Sequence, residues 1–502
     1  MVVVKNLNKV VRHAVVFAVV FGFGLLGVVV GPRAAYANET VGGGVTSLVD
    51  DEVLTELEDG FQPGITDDVP QDLAVLDSAS ESGVENAEVP NAEPDVTTAP
   101  NSIAEGSEDA NGSASVPDVR HFPIYGYELD DNGKVTIDGI TYQIHENTHT
   151  AEVTKIVGKG GEVNILDSIT TNYQDYPVTA IGYRAAIYQK FSTITIPQSV
   201  QTIGEEAFLG VSAENINFRG VSRLATIGKY AFAYLAGVRN MNLPDLVTIL
   251  PEGVFAGTKN LQDLNIGSTS KLAKIEKKAF IYSSALKNFH LPSRVTDIGE
   301  YAFASTGLES FTFAGNSDLM YIPRYAFAYD TNLTHFMIPR SVSSIDEAAF
   351  AASGLQDVEF QNGSILHTIN DRAFAYVPMV SVTLPNSVLL IGPSAFAASG
   401  LQRVSLNQGL LLIQYEAFAY TNIAEVILPS SVAFLGVSAF AYAGVKNVYF
   451  QGIVPPQISN KAHKPAKGSF GVSDVRIVFQ CSYGSGTVQG QYEGYDALVC
   501  AV

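Results

Sequence analysis

A chain of 502 residues is long enough for two or more ordinary domains or for one long repeat array. Its formal charge of −21 argues against nucleic acid as a partner, because phosphate backbones are met by basic patches. Two cysteines alone exclude a structural zinc site.

The first element reads as an export signal, residues 1–37. Lys5, Lys9 and Arg12 form a basic start, an apolar run spans Ala14 to Gly31, and Ala35-Tyr36-Ala37 is a small-x-small cleavage site. Cleavage near Ala37 is expected. The apolar run is also close to the length of a membrane span, so an uncleaved anchor stays open, and membrane contact is expected only through this segment. Gly22 to Gly27 reads GFGLLG, a dinucleotide-binding pattern without the strand–turn–helix context that gives it meaning.

Residues 38–118 carry twenty Asp and Glu and no Lys or Arg. With almost no aromatics this stretch cannot bury enough apolar surface to offset chain entropy, so a disordered acidic linker is expected. The rest of the chain, from Val119 on, is only slightly acidic, about −5. Residues 119–175 read as an N-terminal β cap. Tyr127 to Ile144 predicts strands joined by turns at Asn132-Gly133 and Asp138-Gly139. Asp130 and Asp131 do not have the spacing of an EF-hand loop, and a hairpin turn explains them better. His145 and His149 are four apart, a metal-binding spacing on a helix, but this segment reads as strand and turn.

Residues 176–452 are repeats. One Phe, usually after Ala, recurs at Phe208, Phe232, Phe255, Phe280, Phe303, Phe327, Phe350, Phe374, Phe396, Phe418 and Phe440, at intervals of 22 to 25 residues. That is a solenoid period, and the rings are expected to stack as one buried column. Ile187 reads as a degenerate first copy, giving about twelve coils. After each Phe runs apolar-x-x-apolar-x-apolar, as in Leu261, Leu264 and Ile266, which predicts a short strand with one buried face. The predicted fold is a mainly β, right-handed coil with a parallel concave sheet, and short 3₁₀ or extended segments behind it. Twelve coils at about 4.8 Å give a sheet of about 60 Å.

A two-coil period overlies this. Alternate strands end in Pro, at Pro197, Pro244, Pro292, Pro339, Pro385 and Pro429, while the others run into Gly or Asn-Gly. Proline has no N–H and marks where ladder pairing stops.

Strand residues that alternate with the buried ones face outward. Asn215, Asn217, Asn240, Asn242, Asp263, Asn265, Asn288, His290, His335, Asp357, Glu359 and Arg403 are the candidate ligand-binding residues on the concave sheet. Solvated strand residues without a partner are the competing reading. A second row, Tyr188, Tyr234, Tyr282, Tyr329, Tyr376, Tyr420 and Tyr442, follows the repeat position. Stacking of coil on coil explains it better than a binding stripe.

The phrase from Met379 to Phe396, Met-Val-Ser-Val-Thr-Leu-Pro-Asn-Ser-Val-Leu-Leu-Ile-Gly-Pro-Ser-Ala-Phe, resembles the repeat of the BspA-like leucine-rich repeat family. The resemblance covers roughly Val135 to Gly452. It implies an exported or surface protein that binds matrix or cell-surface proteins of a host or of neighbouring cells, in the manner of an adhesin. Many members carry Cys shortly after the Ala-Phe, where this chain has Tyr, Ala or Ser.

Residues 453–502 are expected to cap the far end, closed by a disulfide between Cys481 and Cys500, since export implies an oxidising compartment. No H-E-x-x-H, G-x-S-x-G or phosphate loop stands in the mature sequence, so an enzyme is not expected, nor is any cofactor or metal. A self-associating structural component of the envelope or matrix is the alternative to a binding protein.

Overall fold

The computed structural model describes residues 126–452 continuously. It also describes Ala18–Val20 and Leu25–Gly27, residue 456, and the strands Gln457–Ile458, Arg476–Phe479, Thr487–Tyr492 and Tyr495–Cys500. The chain divides into two units, residues 1–114 and 115–502. In the first, Ala18–Val20 pairs antiparallel with Leu25–Gly27. The acidic linker, the cleavage site and Cys481 lie outside the described residues. Among the described residues, no helix is long and apolar enough to cross a membrane.

The second unit opens on a hairpin. Lys134–Ile137 pairs antiparallel with Ile140–His145 around Asp138 and Gly139, both at positive φ, as the Asp-Gly turn requires. Asp130 acts as a turn residue: its Oδ1 accepts the N–H groups of Asn132 and Lys134 at 2.9 and 2.8 Å. Thr150–Ile156 continues the antiparallel ladder and then pairs parallel with Gln174–Ile181. This strand converts the cap into the spiral, because Ala180 and Ile181 pair parallel with Thr202 and Ile203 of the first full coil.

Each following coil has three sides. A main strand of three or four residues comes first, such as Asn288–Leu291. A two-residue strand follows, such as Asp297–Ile298, and then a turn around the Phe. The third side contains no 3₁₀ helix among the described residues. Instead, the residues two before and two after each Phe sit at positive φ, as at Tyr325 and Tyr329 around Phe327. These left-handed kinks turn N–H groups along the axis. Tyr325, Phe327 and Tyr329 donate to Glu347, Ala349 and Ala351 of the next coil at 3.0, 2.8 and 2.9 Å. Bulky residues rarely adopt this conformation, and here three hydrogen bonds per coil hold them in it.

The same register corrects the first copy. Ala186, not Ile187, occupies the Phe position, since Arg184 and Tyr188 carry the flanking positive φ and the Ala186 N–H bonds Ala207. Ala186 is buried and Ile187 only half-buried.

The main strands do not form one continuous sheet. After the first three, they pair two by two, from Asn240–Leu243 with Asp263–Ile266 to Ser381–Thr383 with Arg403–Ser405, and Glu425–Leu428 opens a last sheet that continues through Asn447–Phe450 to Arg476–Phe479. The alternating prolines explain this. Within a pair, the residue after the second strand donates to the last residue of the first, as Ala314 N to Leu291 O at 2.9 Å and Gln361 N to Ile338 O at 3.0 Å. Between pairs that donor position is Pro244, Pro292, Pro339, Pro385 or Pro429, which has no N–H to give.

The core is the aromatic column. All eleven Phe side chains are fully buried. Successive rings stack with centroids 5.0 to 5.7 Å apart and planes within 16°. Ring spacing close to strand spacing lets one residue per coil seal the interior. Gly299 shows how tightly the coils approach: a Cβ there would stand 2.3 Å from the Lys277 backbone nitrogen. Phe327 lies mid-column and also touches Phe311 and Phe336 edge-on at 4.8 and 5.0 Å. Phe327→Ala is expected to cost about 3–5 kcal/mol, read as a fall in the urea midpoint of unfolding, with Phe327→Leu costing less.

Candidate functional site

The outward residues of the main strands form two parallel rows. Eleven of the twelve candidates are exposed and Asp357 is half-buried, while the residue between each pair points inward. Strand register sets the neighbours: Asn242 beside Asn265, His290 beside Thr312, His335 beside Asp357 and Met337 beside Glu359. Asn265 Nδ2 donates to Asn242 Oδ1 at 3.0 Å, and His290 Nδ1 lies 2.9 Å from Thr312 Oγ1. With its amide nitrogen turned to the acceptors, Asn240 donates to Asp263 Oδ2 at 3.1 Å. The N-terminal half of the face is therefore an amide-rich surface whose one carboxylate is Asp263. Its later half mixes His335, Asp357, Glu359 and Arg403.

The face runs further than the sequence reading placed it. Glu425, Ile427, Asn447 and Tyr449 hold the same outward positions, and Asn447 donates to Glu425 at 3.0 Å. Ile427 is 54 % exposed and Tyr449 38 %, so at the C-terminal end one row is apolar beside the polar Glu425–Asn447 pair. The strand offset that located Arg403 locates these residues too.

The two histidines of the cap do not converge. His145 Nε2 meets Glu152 Oε2 at 3.1 Å, whereas His149 faces the Tyr176 ring with centroids 6.3 Å apart. Among the described residues, no group of three His, Cys, Asp or Glu is placed to hold a metal ion.

The tyrosine row packs. At Gly257, whose φ is +67°, an added Cβ would stand 2.7 Å from the Tyr234 ring. Gly210 lies against the Tyr188 ring in the same way, and the matching positions after Tyr282, Tyr329 and Tyr376 are also small, Ser305, Ala352 and Ala398. Only the last pair breaks the alternation, where Tyr420 and Tyr442 stack at 5.0 Å.

A charged ladder went unnoticed in the sequence. Three residues before the first seven Phe stand Glu205, Lys229, Glu252, Lys277, Glu300, Arg324 and Glu347, alternating in sign coil by coil; Asp371 then repeats the sign of Glu347, and the last three coils carry Pro393, Tyr415 and Val437 there. Glu252 is buried at its centre, 3.0 Å from both the Lys229 and Lys277 ammonium groups and 3.3 Å from the Tyr230 hydroxyl. Burial pushes its pKa up, but the two lysine hydrogen bonds and charges outweigh burial and hold it below the usual range. A depressed carboxylate pKa stabilises the fold above the unfolded value, about 4.3, and that contribution is lost as pH falls through the folded value. Glu252→Gln should therefore lower Tm at pH 7. The gap to the parent should close as the titration is carried down through the acid range.

Asp330 is the opposite case. It is fully buried, and its Oδ1 accepts the Thr306 N–H and hydroxyl at 2.7 and 2.8 Å. Its Oδ2 and the Ser353 hydroxyl of the next coil are buried without a partner. Burial raises the Asp330 pKa well above the usual range, against the pull of the Thr306 hydrogen bonds. A raised carboxyl pKa stabilises fully below the unfolded value, about 3.9, and that stability is lost as pH rises toward the folded value. Asp330→Asn keeps the acceptor and removes the charge. It should raise the unfolding midpoint at pH 7 and leave it unchanged near pH 4.

Residues 179–308 and 320–446 match the BspA type leucine rich repeat region, in six copies. The chain belongs to the BspA-type leucine-rich repeat family. No curated relative matches the sequence. Solved structures of similar fold include the pneumococcal vaccine antigen PcpA, with 18 % identity, a TM-score of 0.46, and coverage of 74 % of this chain and 99 % of that one. A leucine-rich repeat protein from Bacteroides ovatus is 21 % identical with a TM-score of 0.45, covering 68 % and 94 %. A leucine rich cell surface protein from Faecalibacterium prausnitzii is 20 % identical with a TM-score of 0.38, covering 70 % and 96 %.

Proposed function

We propose that this BspA-type repeat protein is exported and acts at the cell surface or outside it, as an adhesin-like binder of host matrix or cell-surface proteins. The ligand sits on the outward rows of the main strands. The observation that carries this reading is the face itself: exposed side chains in register over successive coils, with amide, charged and apolar zones and no structural demand on their identity. Repeat proteins of this shape bind along such extended surfaces. Export is supported by the basic and apolar start with its Ala35-Tyr36-Ala37 site.

The experiment is binding of the purified chain to immobilised matrix proteins and to whole cells, with Asn242→Ala and Asp357→Lys as probes. The expected result is saturable binding that falls at least about tenfold in a variant whose thermal unfolding is unchanged, as loss of a central polar anchor does. Concentration-dependent self-association without any foreign ligand would replace this reading with that of a self-assembling envelope component.

A further inference from the structure

On the two-residue-strand side, the residue after each strand donates to the coil before it. Gly228 N bonds Ile203 O, Glu276 N bonds Leu250 O and Gly299 N bonds Ile275 O, each at 2.8 Å, and Asp346 N bonds Ile322 O at 2.9 Å. Pro251 and Pro323 occupy this position in two coils and have no N–H to give. The residue ahead of the strand repeats the pattern. Ala273, Thr296 and Ser343 donate to the preceding coil at 2.8, 3.1 and 2.8 Å, whereas Thr248 and Met320 make no such bond.

Each of these gaps coincides with a break between main-strand pairs. Elsewhere a break is spanned by the other ladder: the one between Ile266 and Asn288 is bridged by Lys274 pairing Asp297 and Ile275 pairing Ile298. At Pro251 and Pro323 both ladders stop together. The strand ladders consequently fall into three blocks, residues 134–227, 240–313 and 321 onward, and no strand pairing joins one to the next.

What crosses the joints is chiefly the Phe side of the coil. At the first joint, Tyr230 and Phe232 donate to Glu252 and Val254, each at 3.0 Å. At the second, Tyr301, Phe303 and Ser305 donate to Arg324, Ala326 and Ala328 at 3.1, 3.0 and 2.9 Å. Side chains reinforce the same edge, with Lys229 on Glu252 at the first joint and Tyr301 stacked on Tyr325 at 4.7 Å at the second. On the strand side of the second joint, the hydrogen bond from the Tyr321 hydroxyl to Asp297, 2.9 Å, is an exposed one. The widest ring spacing in the column, 5.7 Å for Phe232–Phe255, stands at the first joint.

We propose that the solenoid is articulated: three stiff blocks bend at two proline-defined joints, with the aromatic turns as the pivot. Bending opens or closes the strand side, because no strand pairing crosses it and side-chain contacts such as Phe336 on Phe311 and Phe313 are what remain there. The outward face becomes three panels, one carrying Asn215 and Asn217, one running from Asn240 to Thr312, and one from His335 onward. The second joint falls where the amide surface gives way to the charged one. This inference does not depend on what the face binds.

The test is a distance distribution in the full chain, from nitroxides on noncanonical side chains so that Cys481 and Cys500 are untouched. Asn265 and Glu359 span the second joint over four strand steps, and Glu359 and Tyr449 span four steps inside the third block. The first pair should give the broader distribution, and Pro323→Ala, which restores the missing donor, should narrow it toward the second. Hydrogen exchange supplies an independent reading: the Thr248 and Met320 amides should exchange about tenfold or more faster than Ala273 and Thr296. Equal widths for the two pairs, or exchange at Thr248 and Met320 as slow as at their counterparts, would overturn the proposal.

Discussion

One ring per coil, stacked face to face from Phe208 to Phe440, is the contact that every other feature presupposes. A coil of this size cannot enclose its own apolar residues. It becomes stable only when the next coil lies against both faces of its ring. Two consequences follow from the stack. The rise per coil is fixed near the thickness of an aromatic pair, which is also near the spacing of β-strands, so strands on the other two sides are brought into pairing distance. The residue before each Phe must be small, and it is Ala in every full copy except Val254.

Alternation is the second layer of order, and three unrelated interactions share its period. From Pro244 to Pro429, prolines interrupt the main-strand ladder after every second coil. Tyrosines two residues after the Phe lie over Gly, Ser or Ala in the coil above. From Glu205 to Glu347, charges three residues before it change sign from coil to coil, as at Lys229, Glu252 and Lys277. Each device needs two unlike neighbours: a donor and a non-donor, a large ring and a small seat, a cation and an anion. A single-coil repeat satisfies none of them, because it sets like against like.

Much of this was legible because the period is short and the marker is large. Phe names its own register, and strict alternation around Leu264 or Val358 names the outward positions. The prolines from Pro244 to Pro429 announced the breaks in pairing, whereas Pro197 marks none, since Thr193–Ile196 pairs with Glu162–Asn164. Other features were hidden for physical reasons. Ala186 has no ring to mark its place, so its bulkier neighbour Ile187 drew attention. The left-handed kinks at Tyr234, Tyr282 and Tyr329 run against the intrinsic preference of a bulky residue, and only the hydrogen bonds of the next coil make them tolerable. The charge ladder joins residues 22 to 25 positions apart, so it is invisible unless each turn is aligned on the Phe. Asp330 looks like a surface acid until the coil above is in place.

What stacking leaves unspecified is as informative as what it fixes. Inward positions of the main strands hold Ile216, Met241, Phe289, Phe311, Phe336 and Val358, all apolar and all buried. Outward positions at the same register hold amides, hydroxyls, imidazoles, both charges, Met337, Ile427 and Tyr449. No hydrogen-bond ladder or packing contact of the core depends on which of these is present. A scaffold of this kind separates the residues that make it fold from those that meet solvent or a partner, and it places the second set in straight rows of known spacing. The outward face is amide-rich first, then mixed in charge, and ends with Ile427 and Tyr449 beside Glu425 and Asn447. Only a surface whose composition is free of the fold's demands can be zoned in that way.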